Sequence, residues 1–279
     1  MAKGRRTVLP IPDVSAEPLG GGYKNELLRY GEVVLRLETT TLESATWERG
    51  LLEFLAARLP EAVVPLAGPV IWSDGRIATA LPFVDGVELD REARGQRREL
   101  ARLLARLHVA GLEWTGGQRP GASSWPERDL VRNEWWDWTI VEKPTALVVA
   151  YEELVALLAD PPRLREGIVH GDIYRANLLV REQHIVGVID WEEARVDWPA
   201  WELANATWEV CKVGDVLDAA RADAFVDAYV DSGGPGETEP LAQLIRCRLV
   251  ADALYSLTSK ARGAAYDQGY VDHLVRALA

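Results

Sequence analysis

The residues whose types and spacing could do chemistry lie in one segment, residues 167–193, which reads GIVHGDIYRANLLVREQHIVGVIDWEE. Asn177 follows Asp172 by five positions, and Asp190 ends the second of two apolar runs. Two carboxylates and an amide, with no thiolate nearby, are oxygen donors that suit magnesium better than zinc. Asn177 and Asp190 are therefore the predicted magnesium ligands, and phosphate oxygens of a nucleotide are expected to complete the coordination.

Asp172 is then available for a second role. In phosphoryl transfer a protein mainly positions the reactants and neutralises charge, and one carboxylate orients the attacking hydroxyl and accepts its proton. Asp172 is the predicted catalytic base.

A hairpin is predicted to bring these side chains together. The polar residues 181–184 lie between the apolar runs LLV and IVGVI, a pattern typical of two strands joined by a tight turn. Pairing about the midpoint between Gln183 and His184 would place Asn177 opposite Asp190. The three oxygen-bearing side chains are therefore expected at one end of the hairpin.

This segment resembles the catalytic segment of the aminoglycoside phosphotransferase and choline kinase superfamily, small-molecule relatives of the protein kinases. His170-Gly171-Asp172 and Asn177 match its catalytic loop, and residues 189–192 match its metal-binding segment. Further matches are the helix at residues 99–108 and the segment at residues 201–204. The resemblance implies an α+β, protein-kinase-like fold of two lobes, ATP and Mg²⁺ as cofactors, and a small-molecule acceptor. It also implies that His170 orients the loop and is not a base.

The first part of the chain supplies candidates for nucleotide binding. Gly20, Gly21 and Gly22 precede a predicted strand and would allow the backbone to approach phosphates. Arg36 occupies the strand position at which a kinase grips the α- and β-phosphates with a cation. Glu48 is its predicted partner, because Leu52 and Leu55 follow at helical spacing on the same face.

The elements that must position these residues divide the chain into two predicted parts. Residues 1–84 are expected to form a nucleotide-binding lobe, with a small antiparallel sheet, a reversal at Tyr30-Gly31 and one helix over residues 42–59. Residues 85–279 are expected to form a mainly helical catalytic and substrate-binding lobe. Its predicted helices cover residues 97–109, 147–158, 216–230 and 241–259.

Composition narrows the class of protein. The 279 residues carry 43 acidic and 31 basic side chains, and this formal charge of -12 disfavours binding to nucleic acid or to anionic membranes. Two cysteines and four scattered histidines offer neither a disulfide framework nor a zinc site. No apolar run is long enough for a signal peptide or a membrane span. We therefore expect a soluble cytoplasmic protein; the sequence leaves its oligomeric state open.

The acceptor remains open at this level. Acidic residues follow the predicted metal site, and they would suit an amino-bearing acceptor such as an aminoglycoside-type antibiotic: Glu192, Glu193, Asp197 and Glu202. At Glu202 the resemblance also implies a structural role beneath the catalytic loop. The alternative acceptor is homoserine or a related amino alcohol, which the sequence around Val196 and Leu107 fits somewhat better.

Two further classes of protein fit the sequence less well than a small-molecule kinase. A protein kinase would need an activation segment and an Ala-Pro-Glu motif after Asp190, and neither is present. A non-catalytic ATP-binding scaffold would not need Asp172, Asn177 and Asp190 together.

Five tryptophans between positions 114 and 138 are explained either by packing or by a substrate wall.

Overall fold

A five-stranded antiparallel sheet opens the fold. The computed structural model describes residues 9–20, 25–122, 137–264 and 267–279. The strands are β1 (Glu17–Pro18), β2 (Glu26–Tyr30), β3 (Val33–Glu38), β4 (Val70–Ile71) and β5 (Ile77–Pro82), in the spatial order β1-β2-β3-β5-β4. Gly31 makes the β2–β3 reversal with φ 61°, a left-handed conformation that glycine adopts without steric cost. The predicted reversal at Tyr30-Gly31 is therefore confirmed.

One helix accompanies this sheet, as predicted. Helix α1 (Leu42–Leu55) begins after Thr41, whose side chain accepts a hydrogen bond from the backbone N–H of Ser44 at 3.1 Å. It ends four residues before the predicted limit. Leu51, Leu52 and Leu55 are fully buried against α2 and the β8–β9 hairpin described below, so α1 packs towards the catalytic segment.

The rest of the chain is mainly helical. Its helices are α2 (Arg94–Gly111), α3 (Thr145–Ala159), α4 (Pro199–Cys211), α5 (Ala219–Asp231), α6 (Leu241–Ala261) and α7 (Gln268–Leu278). The sequence predicted α2, α3, α5 and α6 within a few residues, but not α4 or α7. The α+β architecture, a small sheet with one helix followed by a mainly helical part, agrees with the predicted fold class. Within the described ranges, no helix is both long and apolar enough to cross a bilayer.

Short strands precede and separate these helices, and the predicted chemistry lies around β7 to β10. They are β6 (Val87–Glu88), β7 (Gly167–Val169), β8 (Leu178–Arg181), β9 (His184–Val188), β10 (Arg195–Asp197), β11 (Lys212–Val213) and β12 (Val216–Leu217). Strand β7 pairs with β10, the hairpin β8–β9 pairs with β6, and β11 pairs with β12, all antiparallel. Because β7 lies beside β10, the segments after β7 and before β10 meet at one end of this pair.

The β8–β9 hairpin is present, but its predicted register is wrong by one residue. Glu182 and Gln183 form a two-residue turn with φ of 50° and 70°, so Arg181 faces His184. An irregularity after Leu179 then shifts the pairing, and Ile189 donates its N–H to the carbonyl of Asn177 at 3.0 Å. Asn177 therefore lies opposite Ile189 instead of Asp190. The turn centres one position earlier than predicted, which alone would place Asn177 opposite Val188, and the bulge restores one residue of this difference.

Candidate active site

Asp172 lies in the loop after β7, where Asn177 holds it from the following 3₁₀ turn. The Asn177 side-chain Nδ2 donates to the carboxylate of Asp172 at 3.0 Å and to the carbonyl of Asp172 at 2.9 Å. Asn177 is buried and Asp172 is partly exposed. The two hydrogen bonds fix the direction of a carboxylate that solvent or a ligand can still reach.

His170 supports the same loop from beneath. Its Nε2 donates to the carbonyl of Ile189 at 2.9 Å, and its Nδ1 accepts the N–H of Asp172 at 3.3 Å. These partners define a neutral imidazole with the proton on Nε2. Both ring nitrogens are engaged by the backbone and the ring is fully buried, so this geometry supports the predicted orienting role of His170.

Gly171 allows the loop to pass close to the segment before β10. Its φ is 86°, and a Cβ at this position would lie 2.3 Å from the carbonyl oxygen of Glu193. Any other residue would therefore push the two segments apart. The glycine between His170 and Asp172 is required by this close approach.

Asp190 lies at the N-terminus of the 3₁₀ turn Trp191–Glu193 in a left-handed conformation, with φ 63° and ψ 61°. Burial raises the pKa of its carboxyl, and the negative charges of Glu192 and Asp172 add to this effect. Asp190 is thus a carboxylate held at an electrostatic cost in an uncommon backbone conformation. Such a cost is typical of functional positions, and a bound cation would offset it.

Arg36 and Glu48 form the predicted ion pair, with 2.6 Å between Nη2 and Oε1. Arg36 on β3 and Glu48 on α1 are both buried, and Arg36 Nη2 also donates to Glu38 at 3.2 Å. Despite burial, Glu48 and Glu38 hold the pKa of Arg36 above its ordinary value. Burial also opposes ionisation of Glu48, but Arg36 and a second arginine, Arg119, hold the Glu48 pKa below its ordinary value. Both side chains are therefore charged.

Arg119 was not predicted from the sequence. It is buried, and it donates to the other oxygen of Glu48 at 2.9 Å. Its position in a Gly- and Pro-bearing stretch after α2 gave no periodic or motif signal. Glu48 thus binds two buried arginines at once, and removing it would leave two unpaired charges.

Glu202 on α4 supports the catalytic loop. Its carboxylate accepts the N–H of Gly171 at 2.7 Å, the N–H of His170 at 3.2 Å and Nε2–H of His108 at 2.9 Å. Burial alone would raise its pKa, but these donors, led by His108, hold the pKa below its ordinary value. This geometry supports the structural role that the resemblance implied, and it excludes Glu202 from an exposed acceptor site.

Asp197 is also structural, in contrast to the expectation from the sequence. It is fully buried; its Oδ2 accepts Nε–H of Arg195 at 2.8 Å, and its Oδ1 accepts the N–H of Trp198 at 2.8 Å. Strand alternation in β10 turns this side chain inwards. Glu192 and Glu193 are partly exposed beside Asp190, and Glu192 accepts a hydrogen bond from Asn25 at 2.9 Å. Two of the four predicted acceptor carboxylates are thus accessible beside Asp190, and their contact with an acceptor stays a prediction.

The glycine-rich segment is described only in part. Gly20 is exposed and has open space around it, whereas Gly21 and Gly22 lie outside the described residues. Asn25, which follows them, connects this segment to the metal-binding segment through Glu192. Nucleotide binding by the three glycines stays a prediction.

The tryptophans are likewise described in part. Trp114 packs edge-on against Trp47 and Phe54, and Trp138 stacks on Tyr151 with ring centroids 4.0 Å apart. The other three of the stretch lie outside the described residues. The geometry at Trp114 fits packing between α1 and the end of α2 and does not suggest a substrate wall.

The polar side chains of the site suit magnesium and the phosphates of a nucleotide. Asn177 uses Nδ2 to hold Asp172, and its Oδ1 accepts no hydrogen bond from the described residues. Nε of the buried Arg36 also has no hydrogen-bond partner in the part of the chain that the structure describes. A hard cation at Asn177 and Asp190 and a phosphate oxygen at Arg36 would satisfy both groups. Over the same residues, no cluster of three His, Cys, Asp or Glu side chains is placed to hold a metal.

Comparison with known proteins gives a family match over most of the chain. The model of the phosphotransferase enzyme family matches residues 15–242. A homoserine kinase of Beijerinckia indica is 32% identical over 189 residues, which cover 64% of this chain and 58% of that protein. A homoserine kinase of Methylobacillus flagellatus is 28% identical over 193 residues, with 63% and 57% covered. The chain thus matches less than three fifths of the length of these two relatives.

A solved structure has the same overall fold. The apoenzyme of macrolide 2'-phosphotransferase MphH from Brachybacterium faecium is 24% identical and has a TM-score of 0.63, covering 95% of this chain and 91% of that one. This likeness confirms the two-lobe, protein-kinase-like fold.

Proposed function

The chain belongs to the phosphotransferase enzyme family, and from this premise we propose that it transfers the γ-phosphate of ATP to a hydroxyl group of a small, amino-bearing molecule. The observation that carries the proposal is the contact between Asn177 and Asp172, 3.0 Å, beside Asp190. A carboxylate held in this way can accept the proton of an acceptor hydroxyl while the hydroxyl oxygen attacks the γ-phosphate.

Asp172 orients the acceptor hydroxyl and accepts its proton as the oxygen attacks the γ-phosphorus, while the bond from this phosphorus to the β–γ bridging oxygen breaks and ADP leaves. Asn177 keeps this carboxylate in place, and His170 and Glu202 keep the backbone of the loop in place. Arg36 donates to the phosphates of the nucleotide through the nitrogen that has no partner among the described residues. Asn177 and Asp190 would hold Mg²⁺, which would neutralise charge on these phosphates.

The acceptor is proposed to meet Glu192 and Glu193 with its ammonium group. Both carboxylates lie directly after Asp190, where an acceptor in line with the γ-phosphate must lie. Asp197 and Glu202 are buried, so only two of the four predicted carboxylates can offer a negative charge to an acceptor. A compact amino acid or amino alcohol therefore fits better than a polycationic antibiotic, and the homoserine kinase relatives support the same choice.

The antibiotic class is kept as the second candidate, because Glu192 and Glu193 would also suit an amino group of an aminoglycoside. An aminoglycoside phosphotransferase, APH(4)-Ia, solved as a ternary complex with AMP-PNP and hygromycin B, has a TM-score of 0.67 with 21% identity. It covers 94% of this chain and 93% of that one, and at this identity it supports the fold alone.

The cytoplasm, where ATP is available, is the proposed location.

A coupled assay of ADP release tests the proposal. The purified protein with Mg·ATP is screened against homoserine, other hydroxy amino acids, amino alcohols and aminoglycosides. We expect ADP release that depends on one amino-bearing acceptor, with phosphate recovered on that acceptor. Release only with acceptors that lack an amino group would contradict the amino-bearing class, and ATP binding without turnover on any acceptor would indicate a scaffold.

Glu193→Gln separates the acceptor site from the nucleotide site. We expect it to raise the acceptor KM about fivefold or more while the ATP KM changes less than twofold, because a lost ion pair affects only the ligand that it bound. The exposed Glu182→Gln, in the β8–β9 turn, is the matched control. Equal acceptor KM values in the two variants would exclude Glu193 from the acceptor site.

A further inference from the structure

Arg119 is a buried arginine that joins three separate segments. Nε donates to the hydroxyl of Ser44 at 2.7 Å, Nη2 donates to Oε2 of Glu48 at 2.9 Å, and Nη1 donates to the carbonyl of Trp191 at 2.7 Å. The side chain is 6% exposed. Each of its three nitrogens therefore has a partner, two on α1 and one on the residue after Asp190.

The loop that carries Arg119 is itself anchored. Gln118 donates from Nε2 to the carbonyl of Val196 at 2.9 Å and accepts the N–H of Val196 at 2.9 Å, as an added strand beside β10 would. The carbonyl of Gly117 accepts the indole N–H groups of Trp47, on α1, and Trp114. Arg119 thus extends from a fixed base and not from a free loop.

Glu48 depends on this anchor for its orientation. Its two carboxylate oxygens are divided between Arg36 and Arg119, at 2.6 and 2.9 Å. Without Arg119 one oxygen would lose its partner inside a buried site, where an unpaired carboxylate oxygen is costly. The carboxylate would then rotate or α1 would move outwards, and Arg36 would be left with Glu38 as its remaining partner on β3.

We propose that Arg119 is a positioning residue for nucleotide binding: it fixes Glu48, and through Glu48 the phosphate-binding arginine Arg36, relative to the segment that carries Asp190. The inference rests on the proposed function, because it takes Arg36 as the phosphate ligand. Arg119 itself touches neither Asp190 nor Asp172 in the interactions described. A planar guanidinium suits this role, since its three nitrogens reach three separate partners, whereas a lysine donates all of its hydrogen bonds from one nitrogen.

The test compares Arg119→Gln with Arg58→Gln by calorimetric binding of Mg·ADP. Arg58 also connects the end of α1 to the chain after α2, through Glu113 at 2.7 Å, but this pair is exposed. Both substitutions remove one positive charge. We expect Arg119→Gln to raise the Kd of Mg·ADP about tenfold and Arg58→Gln to change it less than twofold.

The comparison distinguishes a failure of the proposed function from a failure of the proposed role of Arg119. If the wild-type protein does not bind Mg·ADP, the proposed function fails. If the wild type binds and folded Arg119→Gln binds equally well, only the role of Arg119 is overturned.

A double-variant cycle distinguishes positioning from general support of the fold. If Arg119 acts through Glu48, adding Arg119→Gln to Glu48→Gln should weaken Mg·ADP binding by less than about twofold. Losses that add in full would overturn the proposal. Hydrogen exchange in the nucleotide-free protein gives a second readout, in which Arg119→Gln and not Arg58→Gln should speed exchange in α1.

Arg119→Lys keeps the test decisive if Arg119→Gln does not fold. Lysine retains the buried charge and can pair with Glu48, but it loses Ser44 or Trp191. We expect the Kd of Mg·ADP to rise about threefold over the wild type. This is less than the tenfold rise expected when the whole anchor is lost. Wild-type affinity in Arg119→Lys would contradict a three-point anchor.

Discussion

His108 donates a hydrogen bond from Nε2 to the carboxylate of Glu202 at 2.9 Å, and both side chains are buried. The chain of donors continues behind it: the N–H of Gly236 donates to the hydroxyl of Tyr229 at 2.9 Å, and this hydroxyl donates to Nδ1 of His108 at 2.8 Å. With a neutral His108 every proton in this chain has an acceptor. The carboxylate at its end holds the backbone of His170 and Gly171, next to Asp172.

His108→Phe should therefore destabilise the fold by about 2–4 kcal/mol, since a buried carboxylate and a buried hydroxyl each lose a partner. Urea denaturation measures the change in the free energy of unfolding. His184→Phe is the control, because the His184 side chain is 76% exposed. Its Nδ1 lies 3.4 Å from Oε2 of Glu99. A loss no greater than that of the control would mean that the buried network contributes little.

Glu38 should make stability depend on pH near neutrality. Burial raises the pKa of this carboxyl from 4.5 to about 7, although the positive charge of Arg36 opposes the rise. The protonated form thus stabilises the folded state: its contribution is complete below about pH 4.5 and is lost as the pH rises through about 7. Glu38→Gln should stabilise the protein at pH 8.5 by about 2–3 kcal/mol relative to the wild type, and much less at pH 5.

The measurement is the difference in unfolding free energy between Glu38→Gln and wild type at the two pH values. Glu43→Gln, in the exposed first turn of α1, serves as the control. A difference that does not change with pH would show that Glu38 ionises as it does in the unfolded chain.

Asp190→Asn should separate binding from stability. Asparagine tolerates the left-handed conformation at this position, so the backbone need not change. Because burial and the neighbouring carboxylates raise the pKa of Asp190, removing its charge should raise the Tm of the nucleotide-free protein at neutral pH. Mg²⁺ should no longer strengthen ADP binding, since asparagine is a weaker ligand for the cation.

The exposed Asp13→Asn is the control for the lost charge. Thermal melts and calorimetric titrations with and without Mg²⁺ give the two readouts. A variant whose ADP binding still tightens with Mg²⁺ as in the wild type would exclude Asp190 as a metal ligand.

Much of the site could be predicted because its residues are close in sequence. Asp172, Asn177 and Asp190 lie within nineteen positions, and one strand–turn–strand pattern brings them together. The Arg36–Glu48 contact also followed from a local pattern, since helical spacing places Glu48 on the apolar face of α1. The register at Asn177 was wrong, because the turn centres between Glu182 and Gln183, one position before the predicted midpoint, and the bulge after Leu179 makes up only one of the two residues by which the pairing shifts.

The remaining contacts depend on long-range packing. Arg119 lies 71 positions from Glu48, and His108 lies 94 from Glu202, so no periodicity relates them. The burial of Asp197 follows from the pairing of β10 with β7, which the sequence did not predict. Helix α4 was missed although its first-turn proline is a common signal of a helix start. Nearly all of its residues are buried, so it lacks the polar face that gives a surface helix its periodic pattern.

The most direct test of the proposed chemistry is single-turnover phosphoryl transfer by Asp172→Asn, with the acceptor that the wild type uses. Asparagine keeps the size of the side chain and can still bond to Asn177, but it cannot accept the proton of the hydroxyl. We predict that the rate of transfer falls by about 10² or more while the Kd of Mg·ADP changes less than about threefold. Transfer by Asp172→Asn at the wild-type rate would contradict the assignment of Asp172 as the base.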